Sequence, residues 1–187
     1  MAYTPRLTSA GIVGNNKWYS LNPFYTSGYG MPNCTCYCWG RFWEISDPNN
    51  QYINRPTLSL GNGEDWWGYT QDGYERGQEP KLGATICFRN QYGYGPGHVG
   101  TVEEIRENGI IVTSNSYYGG SFFALETLYP DANGKYHHMG SEYMYDSQGF
   151  IYNPWAEQPE PETEEIIVKK EKFPWPVAWG FWNNFKH

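Results

Sequence analysis

The hydrophobic pattern of the sequence changes from helical to strand-like near Lys81, and this change constrains the fold more than any other feature. Asn33 is a favourable N-cap, so a helix is predicted over residues 34–45, ending before Asp47-Pro48. Beyond residue 80 the pattern predicts strands at 84–88, 98–105, 110–116, 121–125 and 149–152. The Asn108-Gly109 pair predicts a hairpin. One helix followed by antiparallel strands indicates an α+β fold.

The composition divides the chain of 187 residues into three parts. Residues 1–155 are predicted to form one domain, with an irregular arm over residues 1–32 that is rich in Gly, Pro, Asn and Tyr. Residues 156–172 form an acidic Pro/Glu linker, and residues 173–187 form an aromatic tail. The tail is too short to build a core, so we expect it to dock on the domain or on a wall, membrane or partner surface.

Charge and hydropathy exclude several classes of function. A net charge of −7 argues against nucleic acid as a partner. No apolar run reaches the length of a membrane-spanning helix. The N-terminus lacks a basic region followed by an apolar run, so we expect synthesis in the cytoplasm without a signal peptide. Three of the four cysteines lie within five residues, which favours free thiols.

Aromatic residues make up 19% of the chain. Trp and Tyr combine a large contact area with a polar group, which suits either a small core or a sugar-binding groove. The candidates to line a substrate groove are Trp39, Trp43, Trp66, Trp67, Tyr92, Tyr94 and Tyr117.

A cysteine at the start of the predicted helix and a histidine at the start of a predicted strand suggest thiol chemistry. Cys34 occupies the first helical position, and His98 lies in the tetrapeptide Gly97-His98-Val99-Gly100. A helix N-terminus and a nearby imidazole can lower a thiol pKa from its usual value of about 8.5. Cys34 is therefore the predicted nucleophile, whereas Cys36, Cys38 and Cys87 are interpreted as small buried hydrophobic residues.

A metal site at Cys34, Cys36 and Cys38 is the alternative interpretation of these thiols. It fits poorly, because helical spacing directs the three sulfurs apart and structural zinc sites use wider gaps. His137 and His138 are predicted to be exposed in a loop. No calcium loop of the Asp-x-Asp-x-Asp type is visible, and neither a metal nor a cofactor is expected.

These motifs resemble those of the CHAP domain over roughly residues 15–153. The resemblance lies in Asn33-Cys34-Thr35-x-Tyr37-x-Trp39-Gly40-Arg41, Leu82-Gly83-Ala84, Gly97-His98-Val99 and Ser114-Asn115-Ser116-Tyr117. CHAP domains are cysteine, histidine-dependent amidohydrolases/peptidases that cut peptidoglycan, and they are common in phage endolysins and tail-associated lysins. The resemblance implies a papain-like fold in which Cys34 is the nucleophile and His98 the general base. Some members of the family bind calcium.

By the same resemblance, the substrate is bacterial peptidoglycan, and the enzyme acts on the wall after release or as part of a virion. The bond cut is either the N-acetylmuramoyl-L-alanine amide or an amide in the stem peptide or cross-bridge, and the sequence leaves both open. The alternative is a catalytically inactive protein that binds the wall or builds the virion.

The third catalytic residue departs from the Glu-x-Asn pattern of many CHAP domains, because the matching stretch here contains no acid. A hairpin loop of two or four residues puts Asn115 on the sheet face of His98, and the four-residue loop places it opposite Gly100. A three-residue loop with a bulge brings Ser114 and Ser116 there instead. We predict that Asn115 orients the imidazole. The Cys34 N–H is an oxyanion donor, and Asn33 is either an added donor or a plain helix cap.

Overall fold

The computed structural model describes residues 2–8, 17–140 and 143–159. Its helices are α1 (Lys17–Ser20), α2 (Pro23–Thr26), α3 (Cys34–Ser46) and α4 (Gly63–Trp66). Its strands are β1 (Arg76–Gly77), β2 (Thr85–Asn90), β3 (His98–Ile105), β4 (Ile111–Asn115), β5 (Ala124–Leu128), β6 (His137–Met139) and β7 (Met144–Ile151). The predicted α+β class is confirmed, and the short strands β1 and β6 are additions to the prediction.

Helix α3 is the central helix, and its start is fixed by the predicted N-cap. The Asn33 side-chain oxygen accepts hydrogen bonds from the backbone N–H groups of Thr35 at 2.9 Å and Cys36 at 3.4 Å. Most of the helix is buried, which agrees with its dense aromatic sequence. Gly40 lies against the Trp18 ring, which occupies the space that a Cβ would need. The glycine therefore lets α1 pack against α3.

The strands form an antiparallel sheet in the order β1-β7-β2-β3-β4-β5, and β6 pairs with β7. One sheet face packs against α3 through residues such as Cys87 and Val99. The other face holds a second core that includes Ile86, Val102 and Phe150. The sheet curls around this second core, and side chains of β5 and β6, which lie far apart in the strand order, are in hydrogen-bonding contact.

The β3–β4 hairpin has a longer loop than the sequence predicted. Ile105 pairs with Ile111, so five residues connect the strands, and both Asn108 and Gly109 have positive φ angles of 59° and 73°. A β-bulge between Val102 and Glu104 then shifts the register by one residue. As a result Thr101 faces Ser114, the same pairing that a regular hairpin with a four-residue loop would give.

The bulged residue, Glu103, joins the sheet to α3 through a buried ion pair. Its carboxylate accepts two hydrogen bonds from Arg41, each 2.8 Å long, and a third from the Ser114 hydroxyl at 2.6 Å. Arg41 also donates to Glu44 at 2.8 Å and to the Thr4 carbonyl at 2.9 Å. These bonds fix α3 relative to β3 and β4, the elements that carry the candidate site.

Residues 17–26 and Gln158 pack more closely on the domain than the sequence suggested. In the predicted irregular arm, α1 and α2 bury Trp18 and Phe24 in the core. The Gln158 side chain exchanges two hydrogen bonds with the backbone of Leu82, at 2.9 and 3.1 Å, so the first residues of the predicted linker belong to the domain. The rest of the linker from residue 160 and the aromatic tail lie outside the described residues. In the described part of the chain, no helix has the length and apolar character needed to cross a membrane.

Candidate active site

The Cys34 thiol lies where the start of α3 meets β3 and β4. The backbone N–H groups of Val99, the residue after His98, of Thr35 and of Cys34 itself face the thiol sulfur and favour its charged form. On the β4 side, the Asn33 backbone N–H donates to the Ser116 hydroxyl at 2.9 Å. The fold therefore brings Cys34 to the same end of the sheet as His98 and Asn115.

The His98 imidazole is held by Asn115. Its Nε2 lies 3.0 Å from the Asn115 Oδ1. The Asn115 Nδ2 donates to the carbonyl and the hydroxyl of Thr113, at 3.1 and 3.0 Å, which fixes the orientation of the amide. Because the amide oxygen only accepts, the hydrogen-bond network assigns a proton to His98 Nε2. The lone pair of Nδ1 is then left to act as a base.

The glycines of the tetrapeptide around His98 have identifiable steric roles. A Cβ at Gly100 would lie 2.5 Å from the Asn115 Oδ1, so the glycine leaves the space that this amide occupies. Gly97 has a φ of +65°, and a Cβ there would lie 2.5 Å from the backbone nitrogen of Glu64 in α4. These close approaches set the backbone of β3 at His98.

Burial keeps both reactive groups neutral. It raises the pKa of the Cys34 thiol, opposed by the three backbone N–H groups that face the sulfur. It also lowers the pKa of His98 to about 3, with His138 contributing in the same direction and Asn115 opposing. The sequence had predicted a lowered thiol pKa from the helix N-terminus; the structure differs because desolvation outweighs the N–H groups.

A second histidine lies directly against the first. The His138 ring stacks on His98 with 4.4 Å between centroids and 20° between planes. Tyr117 stacks on both rings, at 5.3 Å from His98 and 5.6 Å from His138. The prediction that His138 is exposed was wrong, since its side chain is only 6% exposed. The curling of the sheet, which sequence periodicity does not reveal, brings β6 over β3.

The remaining polar candidates contact the backbone or the ion pair rather than His98. Asn33 caps α3 through its side-chain oxygen. Ser114 points to the α3 side of the sheet, where it donates to Glu103, and Ser116 accepts from Asn33. The alternation of β4 thus gives Asn115, and not its two serine neighbours, to the His98 face.

The aromatic groove candidates separate into buried and exposed groups. Trp39 and Trp66, together with Trp43, are at most 1% exposed, so their assignment to a groove was wrong; they fill the core on the α3 side of the sheet. Trp67 is partly exposed and lines a surface cavity of about 520 Å³ beside Glu64 and Arg89. Tyr92 and Tyr94 are exposed and stack on one another at 6.0 Å.

The described residues do not meet the requirements of a metal site. Among residues 2–8, 17–140 and 143–159, no three His, Cys, Asp or Glu side chains are grouped so that they could hold an ion. All four cysteines are free.

Comparison with known families and structures adds the context of this geometry. The family model that describes the CHAP domain matches residues 24–116, a segment that contains Cys34, His98 and Asn115. Residues 24–116 of this chain belong to the CHAP family. The match agrees with the papain-like architecture, in which one cysteine-bearing helix packs on an antiparallel sheet that bears the histidine.

The solved structures that resemble this chain include a crystal structure of an N-acetylmuramoyl-L-alanine amidase from Staphylococcus aureus. The two are 23% identical, with a TM-score of 0.39, and the similarity covers 64% of this chain and 32% of the amidase chain. The chain therefore spans about a third of the length of that relative. Among curated proteins, none matches the sequence.

Proposed function

We propose that this protein is a peptidoglycan hydrolase that cleaves an amide bond through a Cys34–His98 thiol mechanism. The observation that carries the proposal is the His98–Asn115 hydrogen bond of 3.0 Å, next to Val99, whose backbone N–H faces the Cys34 thiol at the helix N-terminus, within a segment that matches the CHAP family. Cysteine nucleophile, imidazole base and amide-bearing orienting residue are the parts of a Cys-His-Asn site.

The pKa shifts support a mechanism that starts from a neutral thiol and a neutral imidazole. His98 Nδ1 takes the thiol proton as the sulfur bonds to the scissile carbonyl carbon, and the Cys34 N–H stabilises the oxyanion. The imidazolium then gives its proton to the leaving amine as the C–N bond breaks. Water, deprotonated by His98, attacks the thioester, and the carboxylic acid product leaves as the thiol regains its proton.

The proposal also covers the bond that is cut and the biological setting. The candidates are the amide between N-acetylmuramic acid and L-alanine and the amides of the stem peptide or cross-bridge. We extend the proposal to a phage-type lysin that acts on the bacterial wall after release or from a virion, on the basis of the sequence motifs. Detection of the chain in purified virions by mass spectrometry would distinguish these two routes.

The test is mass spectrometry of the fragments that the full chain releases from purified peptidoglycan. An amidase frees intact stem peptides with an L-alanine N-terminus, whereas an endopeptidase leaves part of the peptide on the sugar. Cys34→Ala should release nothing, and the matched variant Cys36→Ala, which changes a buried thiol two residues along the same helix, should keep the activity. Binding of the wild type to walls without release of fragments would favour the inactive wall-binding protein and refute the proposal.

A further inference from the structure

Three aromatic rings, those of His138, Tyr117 and Phe88, pack against the His98 imidazole, and a carboxylate contacts the first of them. The rings of His98, His138 and Tyr117 are within 5.6 Å of one another by their centroids and within 23° of parallel. Phe88 lies at the margin of this group, 6.0 Å from His98 and 5.7 Å from His138. The hydrogen bond to Asn115 involves only the Nε2 atom of the imidazole, so it does not explain why other rings contact the flat face of His98.

One carboxylate holds the two outer rings. The Glu126 Oε2 lies 2.7 Å from the His138 Nδ1. Burial raises the pKa of Tyr117, and the charge of the nearby Glu126 raises it further, so the same carboxylate lies close to the tyrosine hydroxyl. Glu126 comes from β5 and His138 from β6, strands that are brought together only by the curling of the sheet.

We propose that Glu126 and His138 are positioning residues of this site, with Glu126 holding the His138 and Tyr117 rings so that they fix the plane of the His98 imidazole. The inference rests on the proposed role of His98 as the general base. A single hydrogen bond at Nε2 leaves the ring free to tilt about that atom, whereas a stacked ring restrains the tilt. Nδ1 is then directed at a constant angle, as transfer of the thiol proton requires.

This arrangement compensates for the acid that is missing from the strand after the His98 strand. A carboxylate in direct contact with His98 would favour the imidazolium, whereas here the contact is a neutral amide and the carboxylate acts through a second ring. The groups that face His138 are His98 from β3, Tyr117 after β4, Glu126 from β5 and Tyr145 from β7. Burial and His138 both lower the pKa of His98, which keeps the base neutral.

The neighbouring histidine on the same strand provides a matched control. His137 lies in contact with Asp146 at 2.8 Å and Asp131 at 3.3 Å, and its side chain is 36% exposed. His137→Gln and His138→Gln make the same chemical change at adjacent positions, but only the second removes a ring that contacts His98. A difference between the two variants therefore reports the contact with His98 and not the loss of a histidine from β6.

The experiment measures kcat and KM on soluble peptidoglycan fragments for His138→Gln, His137→Gln, Glu126→Ala and Glu126→Gln in the full chain. It also follows the His98 imidazole by ¹⁵N NMR as the pH is lowered. We expect His138→Gln and Glu126→Ala to lower kcat by between about tenfold and a hundredfold with KM unchanged. Glu126→Gln, which keeps an acceptor oxygen, should retain more of the activity. The His98 pKa should rise in His138→Gln, and His137→Gln should match the wild type.

The outcomes separate this inference from the proposed function. Folded His138→Gln and Glu126→Ala variants with wild-type kcat and wild-type His98 titration would overturn the inference. If the wild type released no fragments, the proposed function would fail, and the rate of Cys34 alkylation by iodoacetamide against pH would replace kcat. A lower alkylation rate in His138→Gln than in His137→Gln would then still support the positioning role, and equal rates would refute it. Should His138→Gln not fold, Glu126→Gln and Tyr117→Phe allow the same comparison.

Discussion

Replacing Gly100 by alanine should damage catalysis through Asn115 while leaving the fold intact. A Cβ at this position would lie 2.5 Å from the Asn115 Oδ1, about 1 Å short of ordinary van der Waals contact. The amide would have to retreat by a similar distance from His98 Nε2, and its hydrogen bond of 3.0 Å would be lost. A lost hydrogen bond of about 1 to 2 kcal/mol corresponds to a roughly five- to thirtyfold lower kcat.

The assay is turnover of soluble peptidoglycan fragments by Gly100→Ala, by Asn115→Ala and by the double variant. If the clash with the amide is the cause, the double variant should be no less active than Asn115→Ala alone, because an alanine at position 115 has no oxygen to displace. Gly68→Ala is the control, since a Cβ there would meet nothing closer than 3.9 Å. Independent losses that add in the double variant, or full activity in Gly100→Ala, would refute this account.

Three further predictions concern the thiols, the ion pair and the pH dependence of stability. Cys34→Ser should abolish wall lysis in a turbidity assay, while Cys38→Ser should lower the melting temperature and keep most of the activity, because Cys38 is buried in the core. Glu103→Gln should lower the free energy of unfolding by about 3 kcal/mol in urea denaturation because it removes the buried charge that pairs with Arg41, whereas Glu104→Gln at the exposed Arg106 pair should leave it nearly unchanged. The folded pKa of His98, about 3, is below its ordinary value of 6.5, so between these pH values only the unfolded chain takes up the proton. The free energy of unfolding should therefore fall as the pH is lowered through this range, and it should fall less in a His98→Gln variant. An equal difference between pH 6.5 and pH 4 for the two proteins, measured by urea denaturation, would contradict this.

The parts of the site that depend on local sequence were accessible to prediction. The Asn33 cap defines the start of α3 and hence the position of Cys34 at the helix N-terminus. The Asn108-Gly109 pair marks the hairpin, whereas Asn115 faces His98 because the bulge at Glu103, which was not predicted, offsets the extra loop residue. The cap and the hairpin turn depend on residues close together in sequence, where periodicity and turn chemistry are informative.

The parts that depend on the curling of the sheet were not accessible. His138 and Glu126 belong to β6 and β5, and nothing in their spacing indicates that these strands meet over β3. The burial of Trp39 and Trp66 is also a tertiary effect, since a core with few aliphatic residues uses indoles as filling. The burial that raises the Cys34 pKa has the same origin.

The bulge at Glu103 gives the β3–β4 hairpin a tolerance to changes of length. Compared with a regular hairpin with a four-residue loop, the loop has one extra residue and β3 has one extra residue at the bulge. Both lie between the Thr101–Ser114 pair and the tip of the hairpin. Deletion of one loop residue can thus be absorbed by straightening β3, so that Asn115 still faces His98. In the straightened strand Glu103 lies two residues after Thr101, on the α3 side of the sheet, so its pairing with Arg41 is kept. A one-residue deletion in this hairpin should therefore leave both the Arg41–Glu103 pair and the residues that face the imidazole in register.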